Sequence, residues 1–175
     1  MGEKPHWECS GGRGHSQEDS LKPVTEILSR EHQVVLSRLT ELERALDTYS
    51  EETLRDTLRF FDESVTLHRR KEEEVLFPAL SAHFPPDTGP VACMLAEHQD
   101  EKRHLDELRQ ALEKGDRVKV IVHGQLIVNH LRQHISKEDQ VLFPMAERLL
   151  GHDQRDRISS GFKSIGNCCP EASYG

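Results

Sequence analysis

Long apolar runs are absent from this chain of 175 residues. A transmembrane helix needs about 18 or more consecutive apolar residues, and a secretory signal peptide needs an apolar segment near its start. Neither is present, so we expect a cytoplasmic protein that does not span a membrane. The net charge of -8 argues against nucleic acid or an anionic membrane surface as a partner.

Cysteine is also scarce, with four residues in the chain. Three of them, Cys9, Cys168 and Cys169, lie in end segments that contain few aliphatic residues. No disulfide framework is indicated, and we interpret these three as exposed thiols, with metal or redox ligation as the alternative. The end segments cannot bury enough apolar surface to order themselves. We therefore expect disordered tails at residues 1–21 and 163–175 and one helical domain at residues 22–162.

The chain does have eleven histidines and an internal repeat. Residues 134–144 read His-Ile-Ser-Lys-Glu-Asp-Gln-Val-Leu-Phe-Pro, and residues 68–78 read His-Arg-Arg-Lys-Glu-Glu-Glu-Val-Leu-Phe-Pro. The same offset of 66 residues relates Glu31-His32 to Glu97-His98. Because such a repeat reflects one structural unit used twice, each half of the domain should have the same fold and contribute the same side chains.

Apolar residues recur at steps of three and four through most of the domain, which is typical of amphipathic helices. Four long helices are predicted, and a short fifth helix is predicted near Gln154 to Phe162. Short connections between them favour an all-α fold, an antiparallel up-and-down four-helix bundle made of two repeated helical hairpins. We expect Pro78 and Pro144 to bend or end their helices.

Polar residues interrupt the apolar stripe of every long helix. A histidine and a glutamate four residues apart share one helix face, so each pair should point into the bundle, where an unpaired carboxylate is costly. Two divalent metal ions would compensate these charges, with two imidazoles for each ion and both glutamates as bridges. Imidazole and carboxylate ligands suit iron, manganese or zinc, and a paired site in a helical bundle favours iron. The predicted ligands are His32, His68, Glu72, His98, His134 and Glu138.

Further candidates lie beside these six. Glu101 is predicted to face inward three residues after His98, as an additional metal ligand, a base or a hydrogen-bond partner that orients His98. His130 lies one turn before His134, as a fifth histidine ligand or a flanking residue. Glu31 and Glu97 should form salt bridges. Histidines without a repeat counterpart, including His104 and His123, are interpreted as surface residues.

At these residues the chain resembles the hemerythrin-like, or HHE cation-binding, family. The shared pattern is a lone histidine on the first helix and His-x3-Glu before Leu-Phe-Pro on the second, repeated on the third and fourth helices. The resemblance implies a non-haem di-iron centre held by the same six residues. Oxygen-carrying hemerythrins have a second ligand histidine one turn further along the third helix, where this chain has Lys102.

The resemblance leaves three functional hypotheses. One is a protein that binds oxygen, nitric oxide or iron itself for sensing, delivery or stress defence. Another is a di-iron enzyme that decomposes peroxide or reduces nitrogen oxides. The third is a regulatory interaction module that metal stabilises. The expected partner is therefore a small gaseous ligand or peroxide, and the sequence does not identify a protein partner.

Overall fold

A computed structural model describes residues 23–85 and 88–166 of the chain. These residues form five helices, and no strand occurs in either described range. Helix α1 is Glu26–Thr48, α2 covers residues 51–81, α3 is Pro90–Glu113, α4 covers residues 117–149, and α5 is His152–Ile165. The predicted all-α helical bundle is confirmed, and so is its fifth helix, which is longer than expected. The predicted tails lie largely outside the described residues.

The four long helices form the bundle. Helix α1 packs against α2 and α4, and α3 packs against the same two neighbours, while α5 lies against α2. Two residues separate α1 from α2 and three separate α3 from α4; such short connections make consecutive helices antiparallel. The N-terminus of α2 is capped by Ser50, whose hydroxyl accepts a hydrogen bond from the Thr53 N–H at 3.5 Å.

Both prolines of the repeat lie inside continuous helices, so of the two expected effects, a bend or an end, neither proline ends its helix. A π-helical turn precedes each proline, at Glu72–Leu76 in α2 and at Glu138–Leu142 in α4. The N–H of Phe77 donates to the Glu72 carbonyl, five residues back. Proline has no N–H and its ring crowds the preceding turn, and the wider turn accommodates both effects. Isolated π turns are frequent at functional sites, and both of these begin at a predicted bridging glutamate.

The apolar core is divided into two clusters along the bundle. One cluster surrounds Leu39, Leu108 and Ile127, between the hairpin ends of the four long helices. The other contains Phe77, Phe143 and Leu28 together with Ile158 and Phe162 of α5. A layer of buried polar side chains lies between the two clusters. The buried charged residues therefore lie at one level of an otherwise apolar interior.

Candidate metal centre

The buried polar layer contains all six predicted ligands. Helix α1 supplies His32 and α3 supplies His98, whereas α2 and α4 each supply a histidine and a glutamate one turn apart. Every one of these side chains is buried, and the two carboxylates have no exposed surface. The six residues at this level are His32, His68, Glu72, His98, His134 and Glu138.

The four histidines form two pairs, one from each repeat. The Nε2 atoms of His32 and His68 are 3.0 Å apart, and those of His98 and His134 are 3.1 Å apart. The rings within each pair are tilted, with centroids 4.7 and 4.8 Å apart. All four Nε2 atoms therefore converge on the bundle axis in two sets of two.

Both carboxylates connect the two histidine pairs. Glu72 has one oxygen 3.1 Å from the Nε2 of His68 and the other 3.4 Å from the Nε2 of His98. Glu138 places one oxygen 3.2 Å from the Nε2 of His32 and 3.3 Å from that of His134. Two four-residue groups result, and in each group one ligand atom per residue lies within 4.8 Å of all the others. Glu72 and Glu138 belong to both groups.

In each repeat, one carboxylate orients one histidine of the same repeat. The Nδ1–H of His68 donates to Glu31 at 2.8 Å, and the Lys71 ammonium donates to the other oxygen of Glu31. Burial alone would raise the pKa of Glu31, but His68 and Lys71 outweigh it and lower that pKa. The second repeat reproduces the arrangement with His134, Glu97 and Lys137, and the same balance lowers the Glu97 pKa to about 2.

Two further carboxylates orient the remaining histidines across the repeats. The Nδ1–H of His98, in the second repeat, donates to Glu73 of the first at 2.7 Å. His32 donates in the same way to Asp139 at 2.9 Å, and Ser29 donates to the same Asp139 oxygen. An ionised carboxylate can only accept a hydrogen bond, so each histidine carries its proton on Nδ1. The Nε2 atoms face the centre and are the nitrogens that would bind a metal ion.

Aromatic rings close one side of the centre. Phe143 stacks on His32 with centroids 5.3 Å apart, and Phe77 stacks on His98 at 5.6 Å. The two phenylalanines come from the repeated Leu-Phe-Pro sequence. They fix the planes of the α1 and α3 histidines and separate the polar layer from solvent at the α5 end.

A pair of cations fits this set of donors. All four oxygens of Glu72 and Glu138 are buried, and none has a hydrogen-bond partner among residues 23–85 and 88–166. Burial, together with the charge of Glu72, raises the pKa of Glu138. Burial alone would lower the pKa of His68, yet Glu72 and Glu31 raise it well above its ordinary value. The two carboxylates thus favour positive charge at the centre, which divalent cations would supply.

Glu101 lies at the edge of the centre but does not orient His98, as we had expected it might. Its side chain is buried, one oxygen has no hydrogen-bond partner in the described residues, and Arg69 Nη1 approaches it to 3.4 Å. Both residues line a small cavity beside the histidines that has room for about one water molecule. The repeat counterparts are apolar, Val35 for Glu101 and Ile135 for Arg69. This charged pair is therefore an asymmetric feature of the centre.

His130 flanks the centre. Its Nε2–H donates to the Glu97 carbonyl at 3.0 Å, and its ring lies parallel to that of His134 at 6.5 Å. His130 belongs to neither of the four-residue groups at the centre.

Several residues of the centre were missed by sequence reasoning. Glu31 and Glu97 do form the predicted ion pairs, but they also orient His68 and His134. The buried Lys71 and the cross-repeat carboxylates were not predicted. A signal was available, because the 66-residue offset also relates Lys71 to Lys137 and Glu73 to Asp139.

A helical bundle with paired histidines and shared buried carboxylates is typical of proteins that bind metal ions between their helices. The family model described as "Hemerythrin HHE cation binding domain" matches residues 24–146. The chain belongs to this family, and the resemblance seen in the sequence is confirmed.

Similar characterised proteins include the iron-sulfur cluster repair protein YtfE of Salmonella newport and that of Salmonella agona. Each is 30% identical over 93 residues, which cover 48% of this chain and 42% of the relative. The chain thus aligns with less than half of the length of these relatives. Within the described residues, no helix is both long and apolar enough to cross a membrane.

Proposed function

We propose that this chain is a non-haem di-iron protein that binds oxygen, nitric oxide or iron itself, for sensing, delivery or stress defence. The observation that carries the proposal is the pair of buried carboxylates that span two histidine pairs. Two imidazoles would serve each iron, and both glutamates would be shared. The proposed ligands are His32, His68, Glu72, His98, His134 and Glu138.

The chemistry of the donors supports iron more than manganese or zinc. Imidazole and carboxylate without thiolate suit iron, and paired carboxylate-bridged ions in a helical bundle are most often iron. Iron bound here would supply open coordination positions for a small ligand. With four neutral imidazoles and two carboxylates, the site has less negative charge than a carboxylate-rich one. It would stabilise oxidised iron less, which favours reversible binding over difficult oxidation.

The relatives support a role in stress defence. Their name describes repair of iron-sulfur clusters, a process that needs iron to be delivered. Delivery requires ions that the protein can release. Because the four orienting carboxylates hold the histidine rings in place, iron could be released and bound again without a change in the fold.

Metal analysis of the purified protein tests the proposal. We expect about two iron ions per chain, and a large loss of iron in His68→Ala and in His134→Ala. The matched control is His83→Ala, because His83 is exposed, follows the end of α2 and belongs to neither four-residue group of the centre. Full iron stoichiometry in both variants of the centre would show that the ligand assignment is wrong. Optical spectra with and without oxygen would separate reversible oxygen binding from iron delivery.

The charged pair at the cavity favours a second candidate function, the decomposition of hydrogen peroxide to water and oxygen. Glu101 is buried beside the proposed ligands and has an oxygen without a hydrogen bond in the described residues. It could accept a proton from a small molecule in the cavity, or it could be an additional ligand. Glu101→Gln distinguishes these roles. Retained iron with lost peroxide consumption indicates a base, whereas lost iron indicates a ligand.

A further inference from the structure

A second cluster of metal-binding side chains lies between α3 and α4, apart from the six residues of the centre. It consists of His104 and Glu107, three residues apart on one face of α3, and His123 on α4. One Glu107 oxygen is 3.5 Å from the Nδ1 of His104 and 3.1 Å from the Nδ1 of His123. One ligand atom from each residue lies within 4.8 Å of the other two.

The Nδ1 atoms of both histidines in this cluster lack a hydrogen bond in the described residues. The Nδ1 atoms of His104 and His123 are closed to solvent, and within the described part of the chain neither has a hydrogen-bond partner. Glu107 is near both nitrogens, but the two contacts do not have hydrogen-bond geometry. A cation between the three side chains would satisfy both nitrogens and the carboxylate at once. Buried polar atoms without a hydrogen-bond partner need an explanation, and a bound ion is one.

The exposure of the cluster differs from that of the centre. The histidine side chains are 18% and 19% exposed and Glu107 is 43% exposed, so water can complete the coordination of a bound ion. Two imidazoles, one carboxylate and an open position form a ligand set that first-row divalent metals accept. An ion here could exchange with solvent more readily than one in the closed centre.

A row of imidazole rings joins this cluster to the centre. The ring of His104 is 6.5 Å from that of His123 and 6.2 Å from that of His130. His130 in turn stacks on His134 at 6.5 Å. None of the three outer histidines has a histidine at its repeat counterpart, so the row approaches the centre from one side of the bundle.

We propose that His104, Glu107 and His123 form a separate binding site for a first-row divalent metal ion such as Fe²⁺ or Zn²⁺. Because this site lies at the outer end of the row of histidines, iron that moves to or from the centre would bind here on its way. This role rests on the proposed iron site. The metal site itself does not depend on that role.

Titration with Co²⁺ tests the outer site. The protein is first loaded with iron, in a background where Cys9, Cys93, Cys168 and Cys169 are replaced by serine to remove competing thiols. We expect one further Co²⁺ ion per chain, with visible absorption bands of a nitrogen- and oxygen-ligated ion. In His123→Ala and in Glu107→Gln, the affinity of this site for Co²⁺ should fall by more than roughly 10–100-fold, which is the usual effect of losing a residue that only orients a metal ligand. His83→Ala should bind Co²⁺ as the parent does.

Two results would overturn the outer site: no saturable Co²⁺ binding beyond the centre, or parent-like affinity in both variants. Circular dichroism of both variants checks that the helices are retained. The rate of Fe²⁺ uptake tests the role in transfer. His104→Ala should load the centre several-fold more slowly but to the same final iron content, and an unchanged rate would refute that role. If the parent takes up no iron at all, the proposed function fails, whereas Co²⁺ binding to the iron-free protein still decides the outer site.

Discussion

The two carboxylates that orient His68 and His134 allow a matched test, because they occupy equivalent positions of the repeat in different surroundings. Glu31 forms an ion pair with Lys71, whose side chain has no exposed surface. Glu97 forms an ion pair with Lys137, whose side chain is 48% exposed. Replacing each glutamate by glutamine removes the same charge from the same kind of histidine. The two variants should therefore share one effect and differ in another.

The shared effect is on metal affinity. Loss of an outer-shell partner typically weakens metal binding 10–100-fold, or about 1.4–2.7 kcal/mol, and we expect this range for both Glu31→Gln and Glu97→Gln. The different effect is on stability. Glu31→Gln leaves the Lys71 ammonium buried without its counter-charge, which costs up to roughly 3–5 kcal/mol. Lys137 can turn toward water in Glu97→Gln, so the cost there should be below about 1 kcal/mol.

The assay is denaturant unfolding of the metal-free proteins, combined with metal binding measured by competition with a chelator. The double variant Glu31→Gln/Lys71→Met is the control, because it leaves no charge buried at this point. It should recover stability but keep the weakened metal affinity. Equal stability losses in Glu31→Gln and Glu97→Gln would refute the reasoning from burial. Unchanged metal affinity in both would refute the orienting role.

Three further predictions follow from the structure. Chelation should lower Tm, because an ion present at 100 times its Kd adds about 2.7 kcal/mol to the stability of the folded state; an unchanged Tm would mean that the core tolerates its carboxylates without metal. Leu39→Ala, two turns along α1 from His32, should cost about 2–5 kcal/mol in denaturant unfolding without loss of iron, because Leu39 is fully buried in an apolar cluster. Arg132 donates two hydrogen bonds to Glu43 and thereby lowers its pKa, so Arg132→Met should raise that pKa in an NMR titration. A pKa lowered by folding stabilises the protein above the ordinary pKa of glutamate and ceases to do so as pH falls, so the two proteins should converge in stability at low pH.

The helices and the six inward-facing residues of the centre could be read from the sequence because both depend on periodicity. An apolar stripe at helical spacing fixes which face of a helix is buried, and the polar interruptions His68 and Glu72 fall on that face. The internal repeat then shows that His134 and Glu138 lie at the same level. No knowledge of how the helices cross is needed for this step.

The orienting carboxylates could not be assigned in the same way. Glu31 lies about 100 degrees round the helix from His32, at the border between buried and exposed faces. Whether it contacts His68, solvent or a lysine depends on the distance and rotation between α1 and α2. The π turn at Glu72 was equally hidden, because a proline within a helical pattern is usually a sign that the helix ends or bends. These features depend on contacts between helices, which a pattern within one helix does not encode.

The asymmetry at Glu101 and Arg69 offers a final test, for which the chain itself supplies the replacement residues. In the double variant Glu101→Val/Arg69→Ile, both positions take the residues of the other repeat, Val35 and Ile135. Replacing a buried ion pair with apolar residues is often neutral or stabilising, so the bundle should remain as stable as before. If Glu101 serves as a base at the cavity, iron content should stay at about two ions per chain while peroxide consumption is lost. Peroxide consumption equal to that of the parent would exclude the charged pair from the reaction, and a loss of iron would identify Glu101 as a ligand.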